Sequence, residues 1–250
     1  MIKLKYGSLL LLSATLLLPA YSAAQDEEGP SHFSVRTFDI RPGQGDEFRE
    51  LMGQLVQAGD AAGWQARANY QEVRGQLGTY YSVTGIENFA SFDEEFTAPM
   101  DEDAWQEWLA AMWKTGRSTS LVVYRIYPEL TISAPEDAGP PDLIQLRFTR
   151  VYPGKNRAFA DWVGNKLKPA LEKGGVQSFN FSRAVLGADT NLWISGMRID
   201  NWAAYDEPGP LAHLSDEESA ALFEGWDEIV QSTDVRVIRY LPDISTPPEE

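Results

Sequence analysis

The chain has 250 residues, with 21 Lys and Arg against 37 Asp and Glu, a formal net charge of −16, 12% aromatic residues and no cysteine. So acidic a chain lacks the basic footprint by which proteins hold nucleic acid or anionic membrane surfaces, which argues against both as partners. Without cysteine no disulfide can staple the fold, so it rests on a core that 8 Trp, 10 Tyr and 11 Phe can build.

Residues 1–24 read as a secretory signal peptide. Lys3 and Lys5 give a basic start, residues 9–18 are apolar, Pro19 interrupts, and Ser22, Ala23 and Ala24 offer small residues for cleavage before Gln25. The apolar run is too short to serve as a membrane span. This predicts a periplasmic or secreted protein with no membrane attachment after processing. Residues 25–32 form an acidic, mobile lead.

From there the chain is written twice, with a first copy over 33–130 and a second over 143–244. Arg36, Pro42, Gly43 and Phe48 recur 111 positions later as Arg147, Pro153, Gly154 and Phe159. Asn88-Phe-Ala-Ser-Phe-Asp-Glu94 returns as Asn201-Trp-Ala-Ala-Tyr-Asp-Glu207. In the first copy, 33–40 has strand composition, 41–45 turns, and Phe48, Leu51, Met52 and Leu55 mark one face of a helix over 46–58. Strands follow at 65–74 and 79–86. A helical segment begins at 88–95 and continues over 103–114, with Trp105, Trp108, Leu109, Met112 and Trp113 as its apolar stripe. A strand at 121–127 closes the copy. The Pro/Gly/Asp-rich stretch 131–142 is a linker. The second copy repeats the order, with a strand at 143–151, Asn156 as a candidate helix cap, Phe159, Trp162, Val163 and Leu167 inward, and strands at 177–185 and 191–199. A capping box at Ser215 to Glu218 opens the last helix, with Leu222, Phe223, Trp226, Ile229 and Val230 as its stripe, before a strand at 235–241. Residues 245–250 are a polar tail.

Each copy is therefore β-α-β-β-α-β, the ferredoxin-like arrangement. The fold class is α+β: two ferredoxin-like repeats packed sheet on sheet as one intramolecular α/β barrel, helices outside and a lumen between. The Pro-Gly turn, the helical Phe and the Asn-aromatic-Ala-x-aromatic-Asp-Glu segment resemble the dimeric α/β-barrel (ferredoxin-like) superfamily, in its antibiotic-biosynthesis-monooxygenase-like and NIPSNAP-like branch. That resemblance covers both copies. It implies a barrel that most members build by dimerising, and functions ranging from cofactor-free monooxygenases and cyclases to haem enzymes such as chlorite dismutase. A chain carrying both halves is expected to be a monomer or weak homodimer.

Strand alternation nominates the site residues. Phe33, Val35, Ile144 and Leu146 form one apolar set, expected to face the helices. Ser34, Arg36 and Phe38, with Gln145, Arg147 and Thr149, are then expected to face the lumen. Arg125 and Arg239 recur in the closing strands, so Arg36 with Arg125, and Arg147 with Arg239, are candidates to grip an anionic group. The alternative is structural pairing with acids such as Asp39, Glu72 and Asp234. Asn69 and Asn180, taken as equivalents, and Tyr80 and Trp193, with Ser82 and Ser195 on the same face, could orient an aromatic ligand or simply pack. Of two histidines, His32 precedes the first strand. His213 is the candidate axial ligand that the resemblance to haem members implies. No motif calls for a metal, nucleotide or other cofactor. The reading that follows is an exported protein binding a small apolar or anionic molecule in the barrel lumen. The alternatives are a cofactor-independent monooxygenase, isomerase or cyclase on an aromatic substrate, and a haem protein using His213.

Overall fold

The computed structural model describes residues 31–93, 96–135 and 138–246. The expected signal peptide, most of the expected acidic lead and the last four residues lie outside them.

Eight strands form one closed antiparallel barrel: β1 (His32–Ile40), β2 (Arg67–Arg74), β3 (Thr79–Ile86), β4 (Gly116–Ile126), β5 (Leu143–Val151), β6 (Phe179–Leu186), β7 (Leu192–Ile199) and β8 (Val230–Tyr240). Around the barrel they run β1-β3-β2-β8-β5-β7-β6-β4. The first four and last four strands are the two ferredoxin-like halves. They join at two seams, β2 with β8 and β4 with β6. Helix α1 (Gly45–Ala61) and α2 (Glu102–Thr115) pack on the first half. On the second half lie α3 (Asn156–Trp162), a π-helical turn over Val163–Leu167, α4 (Lys168–Lys173), α5 (Asp216–Phe223) and the single turn α6 (Trp226–Ile229).

The interior of the barrel is apolar and filled. Phe33, Val35, Tyr81, Val83, Tyr124, Ile144, Leu146, Ile194 and Ile238 meet there as one cluster. They leave a residual space of about 30 Å³, room for a few waters at most and for no organic ligand. The expected orientation of the first strands is therefore reversed: Phe33, Val35, Ile144 and Leu146 point into the barrel, and the arginine-bearing set points out toward the helices. An eight-stranded barrel is just wide enough for side chains to fill. A guanidinium enters only at one end, where Arg236 meets Glu72 and Tyr81; in the apolar middle it would lose its water without gaining partners. The lumen is thus a core, and the ligand site expected there does not exist.

The helices cover the outer faces with two further clusters, one around Phe48, Met52, Tyr80 and Trp108 and one around Phe159, Trp162, Phe181 and Trp193. Asp101 caps α2, accepting from the Ala104 amide at 2.9 Å, and Ser215 caps α5 in the predicted capping box. Asn156 is no cap; its side-chain oxygen accepts the Trp193 indole N–H at 2.8 Å and its amide donates to Asn191 at 3.0 Å. Trp113 is exposed rather than part of the α2 stripe. The stripe expected to run through Val230 is broken at Gly225, whose φ of 75° ends α5, and Val230 opens β8. The expected tail is ordered at its start. Ser245 is buried, and its hydroxyl accepts from the Asn69 amide at 2.9 Å. The linker docks likewise on the second half, where the Thr131 hydroxyl accepts from the Phe181 amide at 3.3 Å.

The two copies drift in register, and the π turn is where the drift begins. Gly43 and Gly154, 111 apart, share positive φ angles of 82° and 80°. Gly63 and Gly175, 112 apart, share 73° and 78°. The second copy therefore has one more residue in its first helix, accommodated as the i→i+5 turn over Val163–Leu167. Pro169, which has no N–H to donate, follows that turn.

Candidate functional site

A cavity of about 590 Å³ opens on the outer face of the second half, between the sheet and its helices. Its floor is built from strand residues of one parity: Gln145, Arg147 and Thr149 on β5, Ser195 and Met197 on β7, and Phe179 and Phe181 on β6. Arg147, Ser195 and Phe181 lie side by side in one cross-strand row. Phe159, Trp162, Leu167 and Leu171 form one wall, and Phe223 and Trp226 another. The segment from Asp200 to Ala212 supplies the rim, including Tyr205, Glu207 and Leu211. That rim is pinned at Gly174, where a methyl group would collide with the Pro210 carbonyl.

The equivalent surface of the first half is built from different residues. Following the register, Trp64, Trp105 and Trp108 of the first half correspond to Val176, Ser219 and Leu222 in the second. In the first half those three indoles sit over the sheet, with Trp105 and Trp108 stacked at 5.0 Å. Their counterparts in the second half are smaller and stand outside the cavity lining, which is formed instead by Trp162, Phe223 and Trp226, the counterparts of Leu51, Leu109 and Met112. The helices remain tied by an exchanged bond: Trp108 donates its indole N–H to the Leu51 carbonyl at 2.8 Å, whereas Trp162, the counterpart of Leu51, donates to Leu222 at 2.7 Å.

The polar groups are few and placed. Arg147 reaches solvent through the cavity, yet burial by the surrounding walls lowers its pKa, and no charged or hydrogen-bonding partner offsets that. Among the described residues no carboxylate pairs with it. Tyr205 donates its phenol to the Gln145 side-chain oxygen at 3.1 Å, and burial raises its pKa. Arg198 is held at the rim by the Gly139 carbonyl at 3.0 Å and by Asp200 at 3.3 Å.

Of the nominated arginines, asparagines and aromatics, Arg147 lines this cavity, together with Gln145, Thr149 and Ser195 from the same predicted faces. Arg36, its counterpart, sits on the outer face of the first half beside Arg67, whose pKa is lowered to about 10 by burial and by Arg36. The expected arginine pairs do not form. Arg125 stands opposite His32 and Arg239 opposite Leu143, each four residues along from Arg36 and Arg147, about 13 Å by strand rise. The acids suggested as their partners are taken elsewhere: Asp39 by Arg117, and Glu72 and Asp234 by Arg236. Asn69 and Asn180 are not equivalents. The extra helical residue makes Phe181 the counterpart of Asn69, and a one-residue slip places Asn180 on the opposite face of the sheet. Asn69 donates to the Ile244 carbonyl and serves structure. Tyr80 packs on Phe48, and Trp193 on Phe159 and Phe181, behind the cavity rather than in it. Gln145, Thr149 and Ser195 share the alternation face already marked by Arg147. Tyr205 and the helical aromatics carry no signal that separates lining from core.

The residues do not fit a histidine-ligated haem. His213 does not line the cavity; its Nδ1 lies 3.1 Å from the Pro210 carbonyl and its ring rests against Gly174. Among the described residues no cluster of His, Cys, Asp or Glu could hold a metal ion.

No protein-family model matches the chain, and no curated protein matches it in sequence. Solved structures do. An anthrone oxidase-like protein superposes with a TM-score of 0.59 at 15% identity, covering 84% of this chain and 92% of that one. A candidate monooxygenase from Lactobacillus acidophilus gives 0.54 at 13%, covering 84% and 93%. A chlorite dismutase mutant from Candidatus Nitrospira defluvii gives 0.51 at 8%, covering 86% and 92%. The chain therefore shares the α/β-barrel fold of these proteins, with both ferredoxin-like halves carried in one polypeptide.

Proposed function

We propose that the cavity of the second half binds a small, largely aromatic molecule bearing an anionic group, in a protein exported through its N-terminal segment. The observation that carries this reading is Arg147: a guanidinium on the floor of a 590 Å³ cavity, open to solvent through it and partly shielded by its walls, with no carboxylate partner among the described residues. A ligand carboxylate or phenolate would supply the missing charge in fork geometry. Apolar walls with a few placed polar groups are how small-molecule sites are built. Titrating the protein with 2-naphthoate while following tryptophan fluorescence tests it, since Trp162 and Trp226 line the cavity. Arg147→Met should weaken binding by about tenfold to a hundredfold, the worth of a charge-assisted hydrogen bond. Equal binding of 2-naphthoate and its uncharged alcohol would refute the anionic part of the proposal. Export is checked by fractionation and by the N-terminus of the mature chain, expected at Gln25.

A second reading is favoured by Tyr205 and Gln145. Their hydrogen-bonded pair at the rim would hold a phenol while dioxygen oxidises it without a cofactor; one neighbour in structure is named anthrone oxidase-like. Oxygen uptake with anthrone, reduced in Tyr205→Phe, is the expected result; no uptake above the uncatalysed rate leaves a binding protein.

A further inference from the structure

A row of basic residues crosses the β4–β6 seam away from this cavity. His32, Arg125 and Arg183 are successive cross-strand partners on β1, β4 and β6, and so share the outer face. Both guanidinium groups lie over the ring of Tyr127, at 5.4 Å and 6.0 Å, and Arg183 also lies 5.6 Å from the ring of Trp193. These aromatic platforms hold the side chains beside each other.

Like charges directly opposite on antiparallel strands destabilise a sheet. Here the aromatic rings offset part of that repulsion, but no anion does. Among the described residues neither Arg125 nor Arg183 has a carboxylate or hydrogen-bond partner, and the Nε of Arg183 is buried with its hydrogen unused. In a chain with 37 acids against 21 bases, this is not for want of acids. Arg49, Arg117, Arg150, Arg157, Arg198 and Arg236 each reach one. The opposite seam is the internal control. There Arg239 stands between Leu143 and Gln71, the counterparts of His32 and Arg183. The duplicated fold closes perfectly well with a single arginine at this place, so the second one is not required for closure.

We propose that Arg125 and Arg183 form a binding site for a tetrahedral oxyanion, a phosphate or sulfate group, separate from the cavity and independent of the function proposed for it. Two adjacent forks present donors to several oxygens at once, which suits a doubly charged tetrahedral group better than a single carboxylate. Trp193, buried between the two sites, keeps them apart.

The experiment is thermal unfolding of the purified protein in inorganic phosphate against chloride at matched ionic strength. The midpoint should rise with phosphate in the wild type and in Arg147→Met, because binding to the native state alone stabilises it. The rise should be lost in Arg183→Gln, a change that mimics the opposite seam, and in Arg125→Gln. Broadening of the phosphate ³¹P resonance by the wild type, reversed by sulfate, gives a readout that needs no variant. Glycerol phosphate matching inorganic phosphate would identify a phosphoester as the occupant, and its failure the free ion. The proposal is overturned if phosphate gives no shift beyond chloride and no broadening, if both glutamine variants keep the full shift, or if acetate acts as strongly as phosphate.

Discussion

Glu72 shows how much a single residue depends on its surroundings. It sits fully buried at one end of the barrel interior, where it accepts the Tyr81 phenol at 2.5 Å and the Gln76 amide, with Arg236 at 3.4 Å. Arg236 also bonds Tyr81 at 3.1 Å and Asp234 at 2.7 Å, and lies over the ring of Phe148. Removing one partner of such a network strands the others, so Glu72→Ala should cost about 3 kcal/mol in urea unfolding. An equal loss in Asp39→Ala, whose salt bridge to Arg117 is half exposed, would argue against burial as the cause. The interior tyrosines carry a pH signature. Burial first, and then the hydrogen bond to Glu72, raise the pKa of Tyr81; burial raises Tyr124 to about 12. Both groups hold their protons more tightly folded than unfolded. Their contribution to stability is complete below about pH 10, the ordinary tyrosine value, and is lost as pH climbs through the folded values. Tyrosinate absorbance should therefore show a late step near pH 12 that vanishes in Tyr124→Phe.

At the scale of elements, the first helix of the second half shows how an insertion is absorbed. The extra residue widens one turn instead of displacing α4, because α4 is anchored by Leu171 in the core and by Gly174 against Pro210. Deleting Asn165 should convert the π turn to α-helix and leave cooperative unfolding intact. Deleting Gly53 from α1 has no slack to use and should lower the unfolding midpoint sharply; similar losses in both would refute this account. The shift also bears on sequence reading. Aligned by a constant spacing, Asn69 and Asn180 look alike. Nothing local reveals that a helix upstream has gained a residue, and in a strand one residue reverses the face.

At the scale of the whole molecule, closure decides association. Every strand has two neighbours, so no edge is left to pair with another chain. Barrel assembly within one polypeptide predicts a monomer by sedimentation at micromolar concentration. A dimer that persists on dilution would show that another surface is used. The two halves, expressed apart, would expose the apolar face of Phe33, Tyr81, Ile144 and Ile238, and should be soluble only when produced together.

The sequence by itself determined the repeat, the β-α-β-β-α-β order, the span of most elements and the two parity sets of each strand. Arg147 was marked as a candidate on that basis, together with its neighbours Gln145, Thr149 and Ser195. Which set faced the lumen was beyond its reach, because both faces of this sheet are covered and both carry apolar residues, so alternation alone has no sign. Only the closed tertiary structure supplied it: the middle of an eight-stranded barrel is filled by its own apolar side chains. The cavity lies instead on the outer face of the second half, between the sheet and its helices, where Arg147 meets Trp162, Phe223 and Trp226.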